Sequence, residues 1–191
     1  MKLSKSSFHQ WLDSLAAHYQ IIAPVNDGGG VNFRQIATSE EIKQPYLNSK
    51  LPPKAIFFPQ YEKLLSYTID GKNVAVTAHV DSAPKILFGI RPCDAKSMLL
   101  LDKVFENDVY RDPYYCTKRD NTVIIGIGCH KTAPTCFCSS VGLAPAANSG
   151  SDIFLLDLGD AYHLELVTEK GRHLAQSLPE LTPLSAADED R

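Results

Sequence analysis

Apolar residues recur at three- and four-residue intervals over residues 6–19, where Phe8, Trp11, Leu12, Leu15 and Tyr19 share one side of a helix. Serines at the start of that run can cap it. Residues 21–25 then read as a short strand, with residues 31–36 as its hairpin partner across Asp27-Gly28-Gly29-Gly30. The triple glycine lacks the GxGxxG spacing and opens no helix, so it is read as a turn and not as a phosphate cradle. Residues 39–53 are polar and broken by Pro45, Pro52 and Pro53, the pattern of a linker or surface excursion. A compact strand is expected at 55–58, followed after Pro59 by a helix over 60–67.

Residues 74–80 and 85–90 have strand character, and 94–106 has helical periodicity through Ala95, Met98, Leu99, Leu101 and Phe105. The run TVIIGI at 122–127 predicts a buried central strand. After it comes a loop, residues 129–149, rich in Cys, Pro, Thr and Ser and without a pattern able to organise it. Residues 153–158 and 162–167 form a hairpin pattern across Gly159-Asp160-Ala161, and a short helix is expected over 172–178. The fold class this implies is α/β with α+β features: a mixed β-sheet flanked by helices, with hairpins toward both ends. One domain is expected over 1–180, carrying the cysteine-rich loop at 129–149, with 181–191 as a polar tail whose end frays.

Composition narrows the function. The 191 residues are 44% hydrophobic and 21% charged, enough for one sizeable core. Net charge is −3 and the 19 Lys and Arg are spread along the chain, which argues against a nucleic-acid partner. Apolar runs fall far short of the roughly 20 residues that cross a bilayer. The N-terminus carries His9 and Asp13 where a signal peptide needs unbroken apolar residues, so a cytoplasmic location without membrane insertion is expected. Five cysteines, three of them within ten residues, fit reduced thiols better than a disulfide framework.

Those cysteines are the candidate chemistry. Cys93, in FGIRPCDAKSM, lies between a strand and a helix, at the kind of strand end where open α/β sheets build sites. The helix dipole and Arg91 are both expected to favour its thiolate. A second strand end, GIGCHKTAPTCFCSS, delivers Cys129, Cys136 and Cys138 in a C-x6-C-x-C spacing. If the two strands are near one another, four thiols converge on one point, which is a metal-centre arrangement. Spacing alone leaves iron–sulfur and zinc open, with His130 able to replace a thiolate at zinc. A cysteine nucleophile at Cys93, or one assisted by His130, is a further alternative. Cys116 sits in a polar, proline-marked connection without a cysteine neighbour and is left out of the site. Asp94 and Lys96 are expected either to pair in solvent or to line an approach to the centre.

The stretches APVNDGGGVNF, LPPKAIFFPQYEKLL, FGIRPCDAKSMLLLDKVF, DPYYCTKRDNTVIIGIGC, PTCFCSSVG and DIFLLDLGDAYHLELVTEKG, in that order, resemble the N-terminal region of sulfhydrogenase beta subunits and of the related A subunits of anaerobic sulfite reductases. The resemblance implies an iron–sulfur electron-transfer domain or subunit that is not catalytic alone, and it tips the metal choice toward a cluster, of 4Fe-4S type, with zinc as the alternative. It implies flavin-bearing and catalytic redox subunits as partners. It also implies a ferredoxin-like domain or protein, whose cysteine runs are absent here, beyond the polar tail. Only Cys93, Cys129, Cys136 and Cys138 can then hold a centre in this chain. The competing reading is a metal-free or zinc-stabilised docking module for redox partner subunits.

Overall fold

A computed structural model describes residues 1–184. Its elements are, in order, β1 (Lys2–Ser4), α1 (Lys5–Leu15), β2 (Gln20–Asn26), β3 (Val31–Gln35), β4 (Leu65–Asp70), β5 (Asn73–Ala78), β6 (Lys85–Ile90), α2 (Pro92–Phe105), α3 (Pro113–Asp120), β7 (Thr122–Ile127), β8 (Ile153–Asp157), β9 (Ala161–Leu166) and α4 (Glu169–Leu174). Seven strands make one mixed sheet in the order β1-β9-β8-β7-β6-β2-β3. The four central strands β8, β7, β6 and β2 are parallel, and antiparallel hairpin partners close both sides. An α/β fold with hairpins toward both ends is therefore what the chain adopts.

Burial on two faces explains why the central strands read as continuous apolar runs. Along β6, Ile86 and Phe88 face one core with Val123, Ile125 and Ile127 of β7, under α1 and Leu174 of α4. Leu87 and Ile90 face the other core with Ile124, under Ala95 and Met98 of α2 and Tyr115 and Cys116 of α3. Each helix starts on a local signal. Ser4 Oγ accepts from the Ser7 N–H, Asp112 accepts from the Tyr115 N–H, and α2 and α3 both carry proline at the first turn.

Several expectations are corrected. The strand expected at 55–58 is a 3-10 turn, Pro53–Ile56, opened by Pro52-Pro53 and ended by Phe57, which is fully buried beside Tyr115. The helix expected at 60–67 does not form. Its second half joins β4, because Leu65, Tyr67 and Ile69 alternate with Ser66, Thr68 and Asp70 at the period of a strand. Residues 113–120, expected as a connection, are the helix α3. The 39–53 segment is not merely superficial, since Ser39 and Tyr46 are buried. Helix α1 stops at Leu15, and α4 starts at Glu169 on a Thr168 cap, before the expected residue 172.

Strands β4 and β5 form a separate ribbon. Leu65, Tyr67 and Ile69 pair with Ala78, Val76 and Val74, so apolar side chains share one face and polar ones the other. Leu65, Tyr67, Ile69, Val74 and Val76 are between 52% and 65% exposed. Tyr114 Oη, donating to the Leu64 carbonyl, and the Lys118–Glu62 ion pair tie the base of the ribbon to α3. Among the described residues no helix is long and apolar enough to cross a membrane. Thr182 bridges Lys2, which fastens the first part of the expected tail; residues 185–191 lie outside the described residues.

Candidate metal centre

Strands β6 and β7 are adjacent and parallel. Their carboxyl ends therefore open at the same edge of the sheet, where α/β folds place ligands. Cys93 leaves the first as the second residue of α2, and Cys129 leaves the second two residues after Ile127. The Cys129 N–H donates to the Pro145 carbonyl at 2.9 Å, so the far arm of the cysteine-rich loop folds back over its start. Cys136 closes a turn onto Ala133, whose N–H points at its sulfur at 3.2 Å. Cys138 begins a 3-10 helix, Cys138–Val141, ended by Gly142.

Cys93, Cys136 and Cys138 line one cavity of about 440 Å³, together with Asp94 and with Asn48 and Lys50 of the 39–53 segment. Among the described residues Asp94 forms no ion pair with Lys96 and stands at the wall of this cavity. Cys129 borders a neighbouring cleft of about 290 Å³ beside Arg91, Tyr46, His130 and Lys131. His130 lies on that side, away from the cavity shared by the other three cysteines. All five cysteines are free thiols.

In the metal-free chain the surroundings of Cys93 work against the expected thiolate. Cys93 is an exposed residue, yet partial desolvation by the atoms around its sulfur, then the carboxylate of Asp94, then Cys138 push this thiol up to about 11, and the backbone hydrogen bond at the helix start only partly opposes them. Arg91 points elsewhere. Its guanidinium is engaged with the carbonyls of Tyr46, Leu47 and Gly128, and its charge is felt at Cys129, where it opposes the upward push of burial and of Cys138 and Cys136. Burial also raises Asp94, with Arg91 acting in the opposite sense. A raised pKa works against Cys93 as a nucleophile at neutral pH.

Cys116 is also corrected in its surroundings. It is 1% exposed, on the inner face of α3, with its thiol directed at the Phe105 carbonyl at 3.6 Å. It remains apart from the other four. What sequence reasoning missed is the segment 44–50, which roofs the site, and the role of Arg91 in holding it; a lone tyrosine between prolines carries no motif, and only the arginine's place next to Pro92-Cys93 hinted at it.

The donor chemistry suits a thiolate-ligated cluster: four free thiols at two neighbouring strand ends, near enough for their charges to act on one another. Among the described residues, no three His, Cys, Asp or Glu side chains are gathered so as to hold a metal ion.

No family model matches the chain, and no solved structure matches it. Among curated proteins, the sulfhydrogenase 2 subunit beta of Pyrococcus furiosus is 31% identical over 172 residues, which make up 90% of this chain and 49% of that subunit. The chain spans about half the length of the relative it matches. Over nine-tenths of its own length, this chain resembles the sulfhydrogenase beta-subunit family.

Proposed function

We propose that the chain is the electron-transfer domain or subunit of a hydrogenase- or sulfite-reductase-type redox complex, holding a 4Fe-4S cluster on Cys93, Cys129, Cys136 and Cys138. The observation that carries this reading is that Cys93, Cys136 and Cys138 line one cavity beside the carboxyl ends of two adjacent parallel strands, with Cys129 in the neighbouring cleft. Its support from relatives is the likeness to a sulfhydrogenase beta subunit. A cluster supplies one-electron exchange when bound. The chain's own residues supply the rest. The four thiols hold the centre, the 44–50 segment roofs it, and Asp94 adds a carboxylate at its wall. Phe137 and Val141, at the cavity and 66% and 54% exposed, give a partner subunit an apolar place to dock close to the centre. Flavin-bearing and catalytic subunits, with a ferredoxin-like domain or protein, are the partners this role requires, and the isolated chain turns over no substrate.

A second reading, a docking module that is metal-free or stabilised by zinc, is favoured by the exposed apolar face of the β4–β5 ribbon. Iron, sulfide and zinc analysis of anaerobically reconstituted protein separates the two. About four irons and four sulfides per chain support the cluster; zinc alone, or no metal, supports the docking module and overturns the first reading.

A further inference from the structure

Arg91 lies between β6 and α2 and is 7% exposed. Its guanidinium donates through Nη1 to the Gly128 carbonyl at 2.8 Å, through Nε to Leu47 at 3.2 Å, and through Nη2 to Tyr46. It also stacks over the Tyr46 ring, 4.2 Å from its centre. Tyr46 is buried in turn and donates its hydroxyl to the Gly89 carbonyl at 2.5 Å. One side chain thus fastens the end of β6, the residue before Cys129 and the segment that delivers Asn48, Ser49 and Lys50 to the cysteine cavity.

The acceptors are all neutral carbonyls, and among the described residues no carboxylate forms an ion pair with Arg91. Asp94 feels the charge of Arg91 but does not reach ion-pair contact with it, so this buried cation is balanced only at a distance, and carbonyl dipoles replace its hydration only in part. An anion beside it would offset the remaining cost. A cluster held by four thiolates is net negative, and reduction makes it more so.

We propose that Arg91 is a positioning residue for the centre: it supplies the buried positive charge next to an anionic cluster and ties the 46–50 roof to the ends of β6 and β7. The assignment rests on the iron–sulfur reading. A fixed cation stabilises the reduced centre over the oxidised one, so its loss drives the potential down.

The test is a spectroscopic redox titration of the anaerobically reconstituted chain. Arg91→Gln should retain iron yet shift the one-electron equilibrium toward the oxidised form by roughly tenfold, which is about 59 mV. Arg91→Lys keeps the charge but on a more hydrated head without the fork, so it should shift in the same direction by roughly threefold. In both, amide hydrogen exchange over residues 44–50 should speed up. Where Arg91→Gln does not fold, the lysine variant carries the test. Potentials equal to wild type in folded, iron-loaded variants would overturn the assignment alone. Failure of the wild-type chain to take up iron would instead overturn the iron–sulfur reading, and this assignment with it.

Discussion

Ile90 of β6 stands opposite Gly126 of β7, and each is followed three residues later by a cysteine, Cys93 and Cys129. A register shift at Gly89 makes this so. Phe88 pairs with Ile125, and without the shift Ile90 would fall opposite Ile127. Gly89 takes a φ of 84° there, with Pro24 close on its side-chain side, so the irregularity is built from a residue that tolerates it. If these two cysteines are ligands together with Cys136 and Cys138, serine at any of the four should weaken iron retention against a chelator by more than the roughly 10–100-fold typical of outer-shell changes. Iron and sulfide per chain after anaerobic reconstitution are the measurement. Unchanged iron in all four variants would dismiss the ligand set.

Cys116→Ser should leave iron and sulfide at wild-type levels, because that thiol points into the core beneath α3 and away from the strand ends. Its cost is to stability. A hydroxyl among Phe57, Tyr115 and Ile124 is worse placed than a thiol, by about 1–2 kcal/mol, even where it keeps a bond to the Phe105 carbonyl. Urea denaturation of the two proteins reads the difference. Iron loss in this variant would mean that the fourth ligand has been misassigned, with Cys93 the first to reconsider.

The sheet was legible where burial on both faces writes an unbroken apolar run, as at Lys85–Ile90 and Thr122–Ile127, or where a turn signal separates two alternating runs, as at Gly159-Asp160. It was illegible where polar residues do structural work. Helix α3 hides its periodicity because one of its buried positions is Lys118, held by an ion pair to Glu62 that no local pattern announces. Tyr61, Leu64 and Leu65 mimic helical spacing, yet Leu65 is the first residue of a strand. For the candidate site, the four cysteines could be named from their spacing, but the adjacency of β6 and β7, which sets Cys93, Cys136 and Cys138 on one cavity and Cys129 on its neighbour, is a matter of topology. The roof at 44–50 depends on contacts forty residues away in the chain, such as Arg91 with Tyr46, and nothing in QPYLNSK foretells them.

The pH behaviour of the metal-free chain follows from Cys93. An unfolded cysteine ionises near 8.5, whereas burial, Asp94 and Cys138 push this one up to about 11 in the fold. The folded state keeps its proton to higher pH than the unfolded state does. The stability this group contributes is therefore fully present below about pH 8.5 and is lost as pH rises through about 11. Reactivity runs the other way: at pH 8 only a small minority of Cys93 is thiolate. Iodoacetamide should label it slowly at pH 8 and progressively faster toward pH 11, as peptide mass spectrometry of the metal-free protein would record. A rate already level below pH 8 would mean an activated thiolate and restore the thiol-enzyme reading.

Gly150 is the last fastening of the cysteine-rich loop before β8. Its φ is 89°, and a side-chain carbon there would stand 2.2 Å from the carbonyl oxygen of Ala95 and 3.0 Å from the amide nitrogen of Lys96. Both belong to α2, the helix that carries Cys93 near its start. The loop end thus packs backbone against backbone on the helix, and neither partner has a flexible tip able to move aside. Gly150→Ala combines a strained φ with that clash, so the loop must lift from α2 or the helix must shift. A loss of about 2–4 kcal/mol follows, or roughly 4–16 °C in melting temperature for a chain of this size. Gly142→Ala is the matched control: its φ of 67° carries similar strain, but open space surrounds the position, so only the smaller backbone cost of about 1 kcal/mol should appear. If the proposed centre draws on both sides of this contact, Gly150→Ala should also lower iron retention while Gly142→Ala leaves it nearer wild type. Equal melting temperatures for the two variants would show that the approach of Gly150 to Ala95 does not hold the loop.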